Sequence, residues 1–358
     1  MSAPRPRPAL DSIPAYKAGK PPATGGGPAV SYKLSSNENP YPPLPGVLDA
    51  AARAVATLNR YPDLAANELH RAIAERVGVD VAQVATGAGS VAVLYNLLQS
   101  LCVEGDEVVY AWRSFEAYPI AVGLTGATKV AVPLDARARH DLPAMLDAIT
   151  DATKAVLVCT PNNPTGPAVH ADELREFVSA VPSNVVVAID EAYREFVRDA
   201  QTVDGLEIAA GRDNVVVLRT FSKAYGLAGL RVGYAIAPSP LAEAIRKCSL
   251  PFGVSHIAQA VAVASLAAEG ELLDRVEALV AERARVVEAL AGAGWAVPDP
   301  QGNFVWLALG DRSEEFAAAC NERGVSVRPF QGDGVRVSVG EREANDVVVE
   351  VAKAFAPA

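Results

Sequence analysis

The stretch VVVLRTFSKAYGLAGLR, Val215 to Arg231, opens with four apolar residues in a row and then turns polar and glycine-rich around Lys223. An unbroken apolar run of this kind predicts a strand buried on both faces, as in a mainly parallel sheet covered by helices. Similar runs stand at Glu107–Tyr110, Thr128–Val132, Ala155–Thr160, Val185–Asp190 and Val232–Ala237. Helical periodicity at Pro45–Leu58, Leu64–Val77, Ser90–Leu101 and Ala171–Ala180 supports βαβ units. The run Val81–Thr86 reads as a further short strand.

At 358 residues the chain is long for a single core. Residues 1–45, rich in proline and carrying Gly25-Gly26-Gly27, read as an irregular arm, and residues 46–250 as a large α/β domain. Residues 251–358 read as a smaller α+β domain. There, a long helical stretch at His256–Leu290 precedes strands at Phe304–Leu309, Val325–Arg328 and Val335–Val339 and a last helix at Ala344–Phe355. No apolar stretch approaches the roughly 20 residues of a membrane helix, and the net charge of −10 argues against nucleic acid as a partner. The N-terminus has no apolar signal region, and the four cysteines are widely spaced, which predicts free thiols in the cytoplasm. The four histidines show no metal-ligand spacing, so no metal is expected.

Ligands of open α/β sheets bind beyond the carboxyl ends of the strands, and several polar motifs stand there. Thr86-Gly87-Ala88-Gly89-Ser90 offers a glycine turn and a helix N-terminus to a phosphate. Gly87 to Ala92 also fits the G-x-G-x-x-A dinucleotide pattern, which raises an NAD(P)-dependent dehydrogenase. Glu104, Asp106 and Glu107, however, precede the next strand instead of ending it, contrary to that reading. Pro161 to Gly166 (PNNPTG) forms a stiff turn after one strand. Asp190, at the end of another, is costly to bury unless it meets a cation or donors. Lys223, just past a buried strand, is placed for its amine to be desolvated and made nucleophilic. Thr220, Ser222 and Arg231 beside it suit a phosphate.

The series RYPD (Arg60–Asp63), TGAGS, PNNPTG, AIDEAY and SKAYGLAGLRVGY resembles, in order and spacing, the fold-type-I pyridoxal-5′-phosphate (PLP) aminotransferases. The resemblance is to their histidinol-phosphate branch, and it runs from Ile13-Pro14-Ala15-Tyr16 to Arg336-Val337-Ser338-Val339-Gly340. WRSFEAYP (Trp112–Pro119) and VRPF (Val327–Phe330) are most similar to the branch's aromatic (phenylalanine) aminotransferases. The resemblance implies Lys223 as Schiff-base lysine and proton shuttle and Asp190 as partner of the pyridine nitrogen. Asn163 and Tyr193 would bond the ring's phenolic oxygen, and Phe115 would stack on the ring. Ser222, Arg231 and the N–H groups of Ala88 and Gly89 would hold the phosphate, with Tyr61 of a neighbouring subunit, so a homodimer is expected. Arg336 would grip the substrate carboxylate. Asn303 and the segment Asn37-Glu38-Asn39-Pro40 would lie near the substrate.

Two donors stay open. An aromatic amino acid, with 2-oxoglutarate as acceptor in a ping-pong reaction, needs an apolar slot, for which Trp112, Phe115, Tyr118 and Tyr16 are available. Histidinol phosphate needs a second anion site, for which Tyr16, Arg113 and Arg328 are available.

Overall fold

The computed structural model describes residues 4–7, 10–11, 13–19 and 31–355; part of the expected arm, including Gly25-Gly26-Gly27, lies outside them. The strands are β1 Tyr32–Lys33, β2 Val84–Gly87, β3 Glu107–Trp112, β4 Thr128–Pro133, β5 Thr153–Cys159, β6 Val186–Asp190, β7 Val215–Thr220 and β8 Gly233–Ile236. Beyond them come β9 Phe304–Leu307, β10 Val325–Ser326, β11 Arg328–Phe330 and β12 Gly334–Ser338.

A seven-stranded sheet runs in the order β2-β8-β7-β6-β5-β3-β4. The pairs β3–β4, β3–β5, β5–β6 and β6–β7 are parallel, as the unbroken apolar runs predict, whereas β8 runs antiparallel to β7 and β2. Every residue of β6 and β7 is buried. Two apolar cores explain why: Ala188, Val216 and Leu218 pack against one helical layer, Val187, Ile189 and Val215 against the other. The C-terminal ends of β3, β5, β6 and β7 therefore face one edge, where the chain leaves the sheet toward Phe115, Asn163, Tyr193 and Lys223.

A three-stranded antiparallel sheet, β11-β12-β9, stands with its own core around Val305, Phe316, Val337 and Val348. Within the expected irregular arm, Tyr32–Lys33 is a strand, paired parallel to β10. The expected strand Val325–Arg328 is divided: β10 serves the arm and β11 pairs with β12, so the chain changes partner at Val327.

The expected strand from Val81 begins later than the apolar run. Asp80 caps a short 3₁₀ turn, Val81–Gln83, by accepting from the N–H of Ala82 at 2.8 Å, and Gln83 returns a bond to the Asp80 N–H. The long helical stretch is two helices, His256–Ala267 and Glu269–Gly292, which meet at Ala268. Glu269 heads the second, where a carboxylate complements the helix dipole. It is pinned there by the hydroxyl of Tyr225 at 2.6 Å and by Arg76.

Candidate active site

The edge of the sheet and the small antiparallel sheet enclose a cavity of about 250 Å³. Its walls include Tyr16, Phe115, Asn163, Asp190, Tyr193, Ser222, Lys223, Arg231, Arg328 and Arg336.

Asp190 is the last residue of β6, so burial of the strand carries its carboxylate inside. One oxygen, Oδ2, accepts from the Tyr118 hydroxyl at 3.0 Å, while Oδ1 is buried with no partner among the described residues. Burial raises its pKa to about 6, against the pull of Tyr118 and the Ala192 N–H. The next residue, Glu191, points to the other face of the sheet, where Arg219 pairs with it at 2.8 Å. The two adjacent carboxylates thus serve separate networks.

Lys223 follows β7 by three residues. Its Nζ donates to the carbonyls of Ser36 and Asn37 at 3.0 and 3.2 Å. Burial, reinforced by the Arg336 charge, pushes the amine down to about 7. The segment Ser35–Asn37 is fixed from the other side: Arg336 Nη2 holds the Ser35 carbonyl at 2.9 Å, and Ser338 Oγ accepts from the Asn37 N–H at 2.7 Å. Asn37 donates to the Tyr193 hydroxyl at 2.9 Å, and its backbone is left-handed with φ 52°. Asn303 reaches the Asn37 carbonyl at 3.2 Å and does not line the cavity. Its place is behind that segment.

Arg336, on β12, is buried with neutral partners, the carbonyls of Asn163 (side chain, 2.6 Å) and Ser35, and its Nε has no partner among the described residues. Burial lowers its pKa. A buried guanidinium without a carboxylate is a receptor for one.

Arg231 turns back toward the helix Ser90–Leu101 through a left-handed residue, φ 55°, and its Nη1 lies 3.4 Å from Ser222 Oγ. A non-glycine residue keeps such a backbone only where its surroundings hold it there. Gly89, the N-cap of that helix, has φ 85°, and a Cβ there would overlap the Arg231 guanidinium. The helix N-terminus, Ser222 and Arg231 so form a cradle of donors for an anion. Ser90 and Val91 line the cavity at this end; Ala88 and Gly89 stand just outside it, and the Gly89 N–H is turned to the Gly87 carbonyl at 2.7 Å.

The family model described as aminotransferase class I and II matches residues 31–351. The chain belongs to this family. This aminotransferase is 59% identical over 354 residues to the aromatic amino acid aminotransferase of Streptomyces avermitilis, covering 99% of this chain and 98% of the relative. It is 58% identical to that of Streptomyces coelicolor, with the same coverage. Among solved structures, histidinol-phosphate aminotransferase from Sinorhizobium meliloti in complex with pyridoxal-5′-phosphate superposes with a TM-score of 0.87 at 27% identity, covering 99% of each chain. The fold is that of the fold-type-I aminotransferases, and the cofactor is pyridoxal 5′-phosphate.

The residues present fit that group. The orphaned Asp190 Oδ1 suits a protonated ring nitrogen, the donor cradle suits a phosphate, and the Lys223 amine lines the same cavity. Of the residues expected around the substrate, Tyr16 and Arg336 line the cavity and Trp112 does not. The Trp112 ring lies edge-on to Tyr110 at 6.1 Å, under the Arg113 guanidinium at 4.8 Å. Tyr61 is 82% exposed and stacks on Phe252 at 4.7 Å, away from this chain's own cavity. Tyr118, one of four residues the sequence offers for the apolar slot, has its ring buried in the core and its hydroxyl on Asp190. Sequence reasoning left Glu116 and the Ser35–Ser36 backbone without a role. A carboxylate between two aromatic residues, Phe115-Glu116-Ala117-Tyr118, was the available signal for Glu116.

Proposed function

We propose that this aminotransferase takes the amino group of an aromatic amino acid (phenylalanine, tyrosine or tryptophan) and passes it to 2-oxoglutarate in a ping-pong reaction. One observation supports the aromatic donor above histidinol phosphate. Arg113 is held by Asp333, and Arg328 is neutralised by Glu116 at 2.7 Å as long as no second anion enters, so the resting cavity accepts an uncharged ring without breaking an ion pair. Three further walls, Phe115, Phe330 and the Tyr16 ring, offer an apolar slot. The names of the curated relatives agree with it.

When bound, the cofactor supplies an aldehyde carbon and an electron-withdrawing ring. Asp190 Oδ1 would keep a proton on the ring nitrogen, and Tyr118 holds the carboxylate in place from behind. Lys223 Nζ, largely neutral above pH 7, would hold the cofactor through its aldehyde carbon and would serve as the base that takes the proton from the substrate Cα. Arg336 binds the α-carboxylate in two parallel hydrogen bonds. Asn163 gives its oxygen to Arg336, so its NH₂ would be the group that donates to the ring's phenolic oxygen, together with Tyr193. One residue thereby couples the carboxylate grip to the cofactor.

The working unit in this reading is a cytoplasmic homodimer. Leu64, Leu250 and Phe252 line one groove, with Leu64 63% and Leu250 77% exposed, and Tyr61 projects beside them. An exposed apolar patch of this kind suits a second copy of the chain, whose phosphate cradle Tyr61 would complete. The donor is tested by single half-reactions of the holoenzyme with L-phenylalanine and with L-histidinol phosphate, followed by the absorbance of the bound cofactor. A faster reaction with histidinol phosphate overturns the aromatic reading.

A further inference from the structure

Arg328 and Arg336 are register partners across the antiparallel pair β11–β12, so their side chains leave the same face of the sheet. Both line the cavity, and the Phe330 ring lies 5.2 Å from the first guanidinium and 6.0 Å from the second. Like charges placed directly opposite repel, yet the two arginines are treated differently. Among the described residues Arg336 bonds only neutral oxygens, those of Asn163 and Ser35, and its buried Nε has no partner. Arg328 Nη2 meets both oxygens of Glu116, at 3.0 and 2.7 Å. Glu116 also lines the cavity, in the turn between β3 and the helix Tyr118–Thr125. Its side chain is 25% exposed against 11% for Arg328, so the carboxylate is the partner with access to water.

A ping-pong reaction of the kind proposed above sets one cavity a double task. It must take an apolar ring in one half and a side chain ending in a carboxylate in the other. An unpaired, mostly buried guanidinium beside an aromatic ring is costly. A permanently paired one rejects the acid.

We propose that Glu116 is a resident stand-in for the substrate's distal carboxylate. It neutralises Arg328 while an aromatic side chain fills the cavity, and it yields Arg328 to the distal carboxylate of the acidic 2-oxo acid, turning its own carboxylate to water. One carboxylate replaces another on the same guanidinium, so the number of charge pairs is conserved. Glu116 is thereby a specificity-determining residue, and the inference rests on the aromatic-donor, acidic-acceptor reading.

The test uses the holoenzyme and two unreactive probes, 3-phenylpropanoate and glutarate, whose dissociation constants are read from the cofactor absorbance. In Glu116→Gln, glutarate should bind about five- to tenfold more tightly and 3-phenylpropanoate severalfold more weakly. The KM values for L-glutamate and L-phenylalanine should part in the same directions, with kcat changing far less. Glu116→Asp should return the ratio toward wild type. Equal changes for both probes, or none, overturn the proposal and leave Glu116 a structural residue. Should Glu116→Gln fail to fold, Arg328→Gln decides: glutarate must lose at least about fivefold more affinity than 3-phenylpropanoate, and an equal loss overturns the proposal. A wild-type enzyme that prefers histidinol phosphate to phenylalanine defeats the donor reading alone, because the glutarate comparison still reports whether Glu116 surrenders Arg328.

Discussion

Replacing Asp190 by Asn should make the cofactor-free protein more stable at neutral pH. Burial holds the Asp190 carboxyl at about 6 in the folded chain, against its ordinary 3.8. Because the folded state retains the proton more strongly than the unfolded state, stability falls as pH rises from 3.8 through 6, and the full penalty is present above 6. At roughly 1.4 kcal/mol per pH unit the interval comes to about 3 kcal/mol at pH 8, and to about half of that at pH 5. Asparagine carries no charge and can still accept from Tyr118 through its oxygen, so it removes the penalty. For a chain of 358 residues, 3 kcal/mol corresponds to about 4 °C in the unfolding midpoint. Thermal scans of apoenzyme at pH 5 and pH 8 measure it: the variant should gain about twice as much at pH 8. With the cofactor present the order should invert, since the asparagine cannot meet a protonated ring nitrogen with charge. An apoenzyme variant that is less stable than wild type at pH 8, or that gains equally at both pH values, would refute the argument that the carboxylate is held against its own solvation.

Three further outcomes follow from the same geometry. Recombination of apoenzyme with pyridoxal phosphate should accelerate through pH 7 and level off above 8, because burial lowers the Lys223 amine to about 7 and only its neutral form attacks; Arg336→Met should move the midpoint upward, readable by stopped-flow absorbance. Arg336→Lys keeps the charge but loses the planar fork, so KM for both amino donor and 2-oxo acid should rise by roughly 10- to 100-fold in steady-state assays. Gly89→Ala must place a methyl group on the Arg231 guanidinium at a backbone angle that only glycine adopts easily, and equilibrium dialysis should show pyridoxal phosphate bound at least about tenfold more weakly.

The sheet was legible wherever burial on both faces writes an unbroken apolar run, and Val215–Thr220 has the bounds its residues predict. The helices Ser90–Leu101 and Ala171–Ala180 also lie where periodicity places them. Strand direction is a different matter: Gly233–Ile236 is as apolar as its neighbours, and nothing in such a run says that it is antiparallel. The break at Ala268 depends on Arg76 and Tyr225, 193 and 44 residues from Glu269, so local propensity carries no trace of it. Residues that share a short motif, Ser222, Lys223 and Arg231, were readable together because the loop alone brings them to one cavity. The pairing of Glu116 with Arg328, 212 residues apart, and that of Tyr118 with Asp190, 72 apart, exist only after folding. Trp112 shows the converse error. An aromatic residue next to a motif reads as a wall, and the chain instead gives it to Tyr110 and Arg113.

The segment Ser35–Asn37 joins Lys223 to Arg336 and Ser338, and the Ser35–Arg336 bond spans 301 residues. Asp190, Ser222, Lys223 and Arg231, by contrast, fall within one continuous quarter of the chain. During synthesis the cofactor's half of the cavity therefore emerges long before the half that reads a carboxylate, and closure of so long a loop is slow. A chain stopped after Arg231 already holds the lysine and its phosphate donors but has nothing with which to tell an amino acid from a simple amine. Selectivity arrives only when the first and last tenths of the sequence meet.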